Sequence, residues 1–531
     1  MNLLNCRIGI CLILATLIAG CASLPPGSAF PKRASSAFAH PEETRTGVVF
    51  ENEARKHPDE SAFRILSVGA DGFATRMQMI DAAQRTLDVQ YYIFTADSTG
   101  LLLTGSLLAA ADRGVHLRIL IDDGATAAGD EQIQVLAAHP QIEVRIFNPF
   151  AYRGHFRLLR GLEFALDWRR LDYRMHNKLF VADNATALIG GRNIGDAYFQ
   201  IDTDAQYADD DVFVAGPVVR TLSATFDEYW NSPFAIPVEA LAGGKPSKIE
   251  LARQRQRLDG HLRRARQVGA DYVKRAEQGD PFSGMIAGRL PLVWSRAQVV
   301  CDSPDKKGVL KGSASGRLMY GPIEQAAHAA VSELIMVTPY LVPTGEELQL
   351  LHDLRQRNVR VRILTNSLNS TNELSAHAGY VHYRKQLLRE GVELYEVRAL
   401  LGKNSKGSGQ SAAMSRFGNY GLHAKLLVFD RQKMFAGSMN FDQRSRHLNT
   451  ETGLIIESRE LAEQTAARFE AMTRPSSAYA VTLQSRNSGK QELVWRTQEN
   501  DKMIEYTREP SRSSWRRVEA GIMTLVPESE L

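Results

Sequence analysis

Cysteine is scarce: the 531 residues hold four, Cys6, Cys11, Cys21 and Cys301. So few thiols exclude a disulfide framework for a chain of this size, and none of their spacings suits a zinc site. Charge of one sign is also nearly balanced away. A formal net charge of +4 implies no general coat for nucleic acid, although local basic patches stay open. What is present is 44% hydrophobic and 23% charged residues, enough for a sizeable core and more than one globular domain, and inconsistent with wholesale disorder.

The amino terminus has a short apolar run, Ile8–Ile18, behind Arg7 and followed by Ala19-Gly20-Cys21. That order of charge, apolar run and small residues has the shape of an export signal, and the run is too short to span a bilayer comfortably. Ile18-Ala19-Gly20-Cys21 resembles a bacterial lipobox, which implies diacylation of Cys21 and an anchor facing the periplasm. Ala22, where an aspartate would signal inner-membrane retention, favours the outer membrane. Leu24–His40, rich in Pro, Ser and Ala, reads as a tether. The expected division is a signal over 1–20, a tether over 21–60, one half over 61–240, a helical linker over 241–290, a second half over 291–480 and an extension over 481–531.

The chain repeats itself. Leu87–Phe94 is a strand-like run, and Leu334–Leu341 holds the same place in the second half; Asp112–Leu120 and Arg357–Leu364 match as helix end and second strand. Short apolar strands alternating with helices predict an α/β fold, and the duplication predicts two such domains face to face. Between them Ile249–Gln278 reads as an amphipathic helical connector with solvated arginines.

Each half ends on one pattern. His176-x-Lys178 is followed after four residues by Asp183 and after six more by Gly190-Gly191-Arg192-Asn193; His423-x-Lys425 is followed at the same spacing by Asp430 and Gly437-Ser438-Met439-Asn440. Residues two apart on a strand share a face, so each His and Lys can project together. The glycines allow a close approach that brings Asn193 and Asn440 to the same pocket. Two imidazoles, two ammonium groups and two amides suit a phosphodiester: Lys178, Lys425, Asn193 and Asn440 hold the non-bridging oxygens, one histidine attacks phosphorus, and the other serves as acid and then base. Neither nucleotide nor metal is called for. A nucleophilic imidazole needs its other nitrogen fixed by an acceptor; Glu451 is the candidate for His423, and Asp211 in Asp209-Asp210-Asp211 for His176.

The duplicated HxK, Asp and Gly-x-x-Asn pattern resembles the HKD motif of the phospholipase D superfamily, from about Ser61 to about Arg474. The resemblance implies two pseudo-symmetric phospholipase D-like domains, each a mixed β-sheet flanked by helices, with one active site at their interface. It also implies His176 as nucleophile and His423 as acid and base, an assignment that symmetry makes reversible, and a structural place for Asp183 and Asp430. Gly191, where Ser438 stands in the other copy, leaves the first half without a hydroxyl.

The superfamily fixes chemistry and leaves substrate open. Gly190–Phe199, Gly437–Ser445 and His377-Ala378-Gly379-Tyr380 look like the bacterial cardiolipin synthase C group, which implies phosphatidyl transfer between phospholipids such as phosphatidylglycerol and phosphatidylethanolamine at a membrane surface, with no cofactor and no nucleic acid. Hydrolysis of phospholipid, a nuclease, and a lipid-binding scaffold are the alternatives. Tyr152–Arg160 and Trp168–Arg174 interleave arginine with aromatics and suit an anionic headgroup, a nucleic-acid backbone, or a loop in water alike. Ser514–Pro527 reads as an amphipathic element that rests on membrane or docks on the second half. Cys301 reads as an idle thiol.

Overall fold

The computed structural model describes residues 25–124, 130–153, 157–201, 206–241, 248–268, 280–399, 420–485, 491–511 and 514–523. The lipobox around Cys21 therefore lies outside the described residues, as do parts of the tether, the connector and the Tyr152–Arg160 stretch. No helix among the described residues is long and apolar enough to cross a membrane.

Among the described residues two large mixed sheets carry the fold, of nine and ten strands. In the first, Thr86–Tyr91, His116–Asp122 and Ile142–Phe147 run parallel, and Thr86–Tyr91 then pairs antiparallel with Leu179–Ala182. That strand leads on through Thr186–Gly190 to Asp211–Ala215. The second sheet repeats the plan: Glu333–Val337, Arg360–Asn366 and Glu393–Val397 are parallel, and Leu426–Phe429, Lys433–Gly437 and Thr452–Ile456 follow antiparallel. The strands read as continuous apolar runs because helices cover both faces of each sheet. The duplication expected from the sequence is thus a duplicated α/β sheet.

Three apolar clusters follow from this layering. One packs the first sheet against helices such as Ser98–Asp112, and one packs the second against helices such as Gly345–Gln356. The third holds the molecule together: Leu179, Val181 and Val214 of one sheet meet Ile335, Leu426 and Val428 of the other, with Phe226 and Phe469 from the helices Val218–Asn231 and Arg459–Met472 between them. Ile335, Val428 and Val214 are buried completely or nearly so. The halves therefore share a core, and what lies at their junction is fixed in position.

Asp183 and Asp430 have the structural place the sequence suggests. Each sits at positive φ in the turn after its strand and accepts the backbone N–H groups of the incoming parallel strand: Gln84, Arg85 and Thr86 for Asp183, and Val331, Ser332 and Glu333 for Asp430. The connector forms the helix Lys248–Val268, which lies on Ser98–Asp112 with Leu258 and Ala265 buried. Beyond Pro475, the strands Ala478–Ser485, Gln491–Glu499 and Lys502–Tyr506 extend the second sheet, and the helix Ser514–Met523 packs on Leu374–Arg389. Cys301 is a buried free thiol.

Candidate active site

Both histidines stand in extended lead-ins just before the strands Leu179–Ala182 and Leu426–Phe429, not within them as the spacing suggests. What keeps the lead-ins straight is the opposite half. The His176 N–H donates to the Thr450 carbonyl, while the His423 and Ala424 N–H groups donate to the Ala208 carbonyl, and Tyr420–Leu422 pairs parallel with Gln206–Ala208. Each histidine is thereby laid beside the carboxylate segment of the other half.

That crossing decides the partners. His176 Nδ1 lies 2.9 Å from Glu451 Oε2, and His423 Nδ1 lies 2.7 Å from Asp209 Oδ2. The sequence-based pairing of Glu451 with His423 is corrected: Glu451 follows Thr450, which is bonded to the first half. Asp211 is corrected too. It accepts from Arg76 at 2.8 Å and from Arg192 at 3.1 Å, all three side chains buried, and has no place beside a histidine. Asp209 is the residue missed. Its signal was in the strand register: the Gly191 N–H meets the Asp210 carbonyl and the Ser438 N–H meets the Thr452 carbonyl, so the residue before each, Asp209 and Glu451, is equivalent.

The same geometry explains Gly191. A Cβ at that position would stand 2.1 Å from Asp209 Oδ1, so the shorter carboxylate occupies the space that Ser438 fills in the second copy. There Ser438 and Ser445 donate to Glu451 at 2.5 and 2.8 Å. A serine at position 191 is therefore expected to push Asp209 off His423 and cut turnover by roughly a hundredfold or more, with Ser438→Gly milder; steady-state rates of the two variants compare them.

Around the histidines, Lys178 Nζ donates to the His176 carbonyl at 2.6 Å and Lys425 Nζ to the His423 carbonyl at 2.5 Å. Asn193 Oδ1 accepts from the Ile93 N–H at 3.1 Å. Among the described residues Asn440 Oδ1 is buried without a partner and Asn193 Nδ2 has none beyond the neighbouring Tyr198 hydroxyl, and an unpaired buried amide is costly unless a ligand satisfies it. Tyr92 meets the His176 ring edge-on at 5.0 Å, Tyr198 meets His423 at 5.0 Å, and Tyr207 lies 5.5 Å from it. Six of the eight expected side chains, His176, Lys178, Asn193, His423, Lys425 and Glu451, are thus brought together with Asp209 in place of Asp211, and Asn440 is buried at the matching position of the second half.

Burial and the lysine charges set the protonation. Desolvation, then Lys425, push the His423 ring down to about 3 against the pull of Asp209; desolvation, then Lys178 and Lys425, hold His176 well below the ordinary imidazole range. Burial and the lysine charges thus favour the neutral form of both rings, with Nδ1 facing the carboxylate, and Lys425 Nζ also stands 3.0 Å from His423 Nδ1. Asp209 is opposed by burial but brought down to about 2 by His423 and Lys425, whereas burial raises Glu451. Burial lowers Lys425 to about 8. Burial also holds Lys178 well below the ordinary ammonium range, and a lysine holds phosphate only when protonated, so kcat/KM is expected to fall as pH rises, most steeply past about 8 where Lys425 loses its proton; a pH profile on one lipid tests this.

A family profile described as "Cardiolipin synthase, PLD-like domain" matches residues 77–230 and again 323–473. The chain belongs to the phospholipase D-like family. Its two matched stretches are the two halves that supply His176 and His423. Cardiolipin synthase C of Escherichia coli is 36% identical over 89% of this chain and 96% of its own length, and an uncharacterized protein of Helicobacter pylori is 30% identical over 92% and 93%. Among solved structures, phosphatidylserine synthase of Haemophilus influenzae superposes with a TM-score of 0.52 at 13% identity, covering 81% of this chain and 91% of that one. That likeness shows a shared phospholipase D-like fold.

Proposed function

We propose that this protein is a phosphatidyl transferase that makes cardiolipin from two phospholipids by way of a phosphohistidine, acting from a lipid anchor at Cys21 on the periplasmic side of a bacterial envelope. The observation that carries the chemistry is the crossed pair, His176 on Glu451 and His423 on Asp209, around buried lysines and amides. The resemblance to cardiolipin synthase C over nearly the whole chain supports the substrate class, and the sequence around Cys21 supports the anchor.

In the first step His176 Nε2 attacks phosphorus of one phospholipid. The bond from phosphorus to the headgroup oxygen breaks, and His423 gives that oxygen its proton. Lys178, Lys425, Asn193 and Asn440 meet the charge on the non-bridging oxygens. Burial and then the lysine charges depress both rings; a bound phosphodiester offsets the lysine part, so His423 can take up the proton it delivers, and the ionised Asp209 stabilises the imidazolium. Glu451, shared among His176 and two hydroxyls, orients rather than charges its ring, which suits a nucleophile. In the second step a hydroxyl of phosphatidylglycerol loses its proton to His423 and attacks phosphorus, the N–P bond breaks, and the ring is restored.

Purified protein given labelled phosphatidylglycerol, alone and with phosphatidylethanolamine, is expected to yield labelled cardiolipin and a free headgroup alcohol. Phosphatidic acid without cardiolipin would make the enzyme a hydrolase and contradict the reading.

A further inference from the structure

Two helices of this fold are turned the wrong way round for a protein in water. In Arg157–Leu166, Leu158, Leu162 and Leu166, one turn apart, point outward and are 85%, 54% and 71% exposed, with Leu159 and Phe164 beside them and Trp168 just beyond. The polar residues face in: Glu163 accepts the Ala151 and Tyr152 N–H groups, and Arg160 bonds Asp123. In Ser514–Met523 the outward stripe is Trp515, Val518 and Ile522, with Trp515 66% exposed. Arg516 turns in to the Leu368 and Thr371 carbonyls at 2.7 Å. An amphipathic helix normally does the reverse, and apolar patches of this kind mark an interaction surface.

The two helices are not copies of each other, but the points they are anchored to are related by the internal duplication. Asp123 and Leu368 follow the equivalent strands His116–Asp122 and Arg360–Asn366 at their carboxyl ends. Those ends grip the residue ahead of each histidine: Asp122 accepts the Met175 N–H at 2.8 Å, and Asn366 accepts the Leu422 N–H at 2.9 Å. One apolar helix is therefore tied to each half, one loop away from its histidine. The triplet Trp-Arg-Arg recurs too, as Trp168-Arg169-Arg170 just beyond the first helix and as Trp515-Arg516-Arg517 within the second. Arg170 and Arg516 bond inward, while Arg169 and Arg517 are exposed, with exposed Arg508 close to the second. Leucine and tryptophan beside unburied arginine match the boundary between acyl chains and anionic headgroups.

We propose that Leu158, Leu162, Leu166 and Trp168 on one half, with Trp515, Val518 and Ile522 on the other, seat the protein on an anionic phospholipid surface and turn the mouth of the active site toward it. This deepens the reading of the site as a phosphatidyl transferase and rests on it for the substrate; the surface itself is tested separately.

The test uses the full chain and its variants Leu158→Glu with Leu162→Glu, Val518→Glu with Ile522→Glu, and Trp168→Phe with Trp515→Phe. On vesicles of phosphatidylglycerol with brominated acyl chains, tryptophan emission is expected to be quenched in the parent and in the glutamate variants much less, with the quenching largely lost from the double Trp→Phe variant. Turnover of vesicle lipid is expected to fall roughly tenfold or more in each glutamate variant, while turnover of short-chain phosphatidylglycerol below its micelle concentration holds. Unchanged quenching, or equal losses on vesicles and dispersed lipid, would overturn the surface. So would a fall in molecular mass by light scattering, which would make a second copy the occupant, or a lowered unfolding temperature with vesicle binding intact, which would make a segment of this chain the occupant. If the parent binds vesicles but turns over neither lipid, the surface stands and the transferase reading fails.

Discussion

Glutamine in place of Glu451 is expected to lower turnover by roughly 10³–10⁴-fold, comparable to the loss when a histidine's orienting carboxylate becomes an amide in other enzymes, with the fold unchanged. Glu451 receives His176 Nδ1 on both oxygens, Ser438 on one and Ser445 on the other. An amide can accept on one atom only, so one of these partners is lost and the His176 tautomer is no longer fixed. Asp209→Asn should do comparable damage through His423. The two defects differ in kind. With a nitrophenyl ester of phosphatidic acid, whose leaving group needs no proton, Asp209→Asn is expected to keep a rapid first release of nitrophenolate and Glu451→Gln to lose it; with phosphatidylglycerol both are slow. The pairing suggested by sequence, Glu451 behind His423, would give the opposite result for Glu451.

Alanine at position 211 is expected to act on stability instead. Arg76 and Arg192 are both fully buried against this carboxylate. Removing it leaves two guanidinium groups without their counter-charge in the core, a loss of about 3–5 kcal/mol. Both guanidinium groups keep neutral acceptors, Arg192 in the Leu66, Ser67 and Asp209 carbonyls and Arg76 in the Gly72 carbonyl and the Tyr91 hydroxyl, but Arg76 loses two bonds to the carboxylate and with them its tie from the helix Gly69–Ala82 to the strand Asp211–Ala215. Urea unfolding of the variant should show an early midpoint. A variant of unaltered stability but no activity would place Asp211 in the chemistry after all.

These two expectations mark where the sequence could be read and where it could not. The strands, the duplication and the His, Lys and Asn set were legible because periodicity and fixed spacing are local properties, and the second copy served as a control on the first. Which carboxylate stands behind which histidine is a property of the crossing between halves, made by Thr450 against His176 and Ala208 against His423. Nothing near either residue in sequence reports it. Asp209 was hidden by the five extra residues between Asn193 and its strand relative to the second copy, and Asp211 belongs in register opposite Gly190, where Gly453 stands opposite Gly437 in the other half. The apolar residues of Arg157–Leu166 showed their spacing in sequence but not their direction, which depends on Arg160 reaching Asp123.

The division of labour between the two histidines is the centre of the account, and the nitrophenyl ester tests it most directly. Mixed with His423→Ala, the ester is expected to release one nitrophenolate per chain in a burst and then stall, with the phosphatidyl group recovered on the peptide that contains His176. His176→Ala should release none. A burst from His176→Ala with none from His423→Ala would reverse the roles, and a burst from neither would contradict a phosphohistidine route.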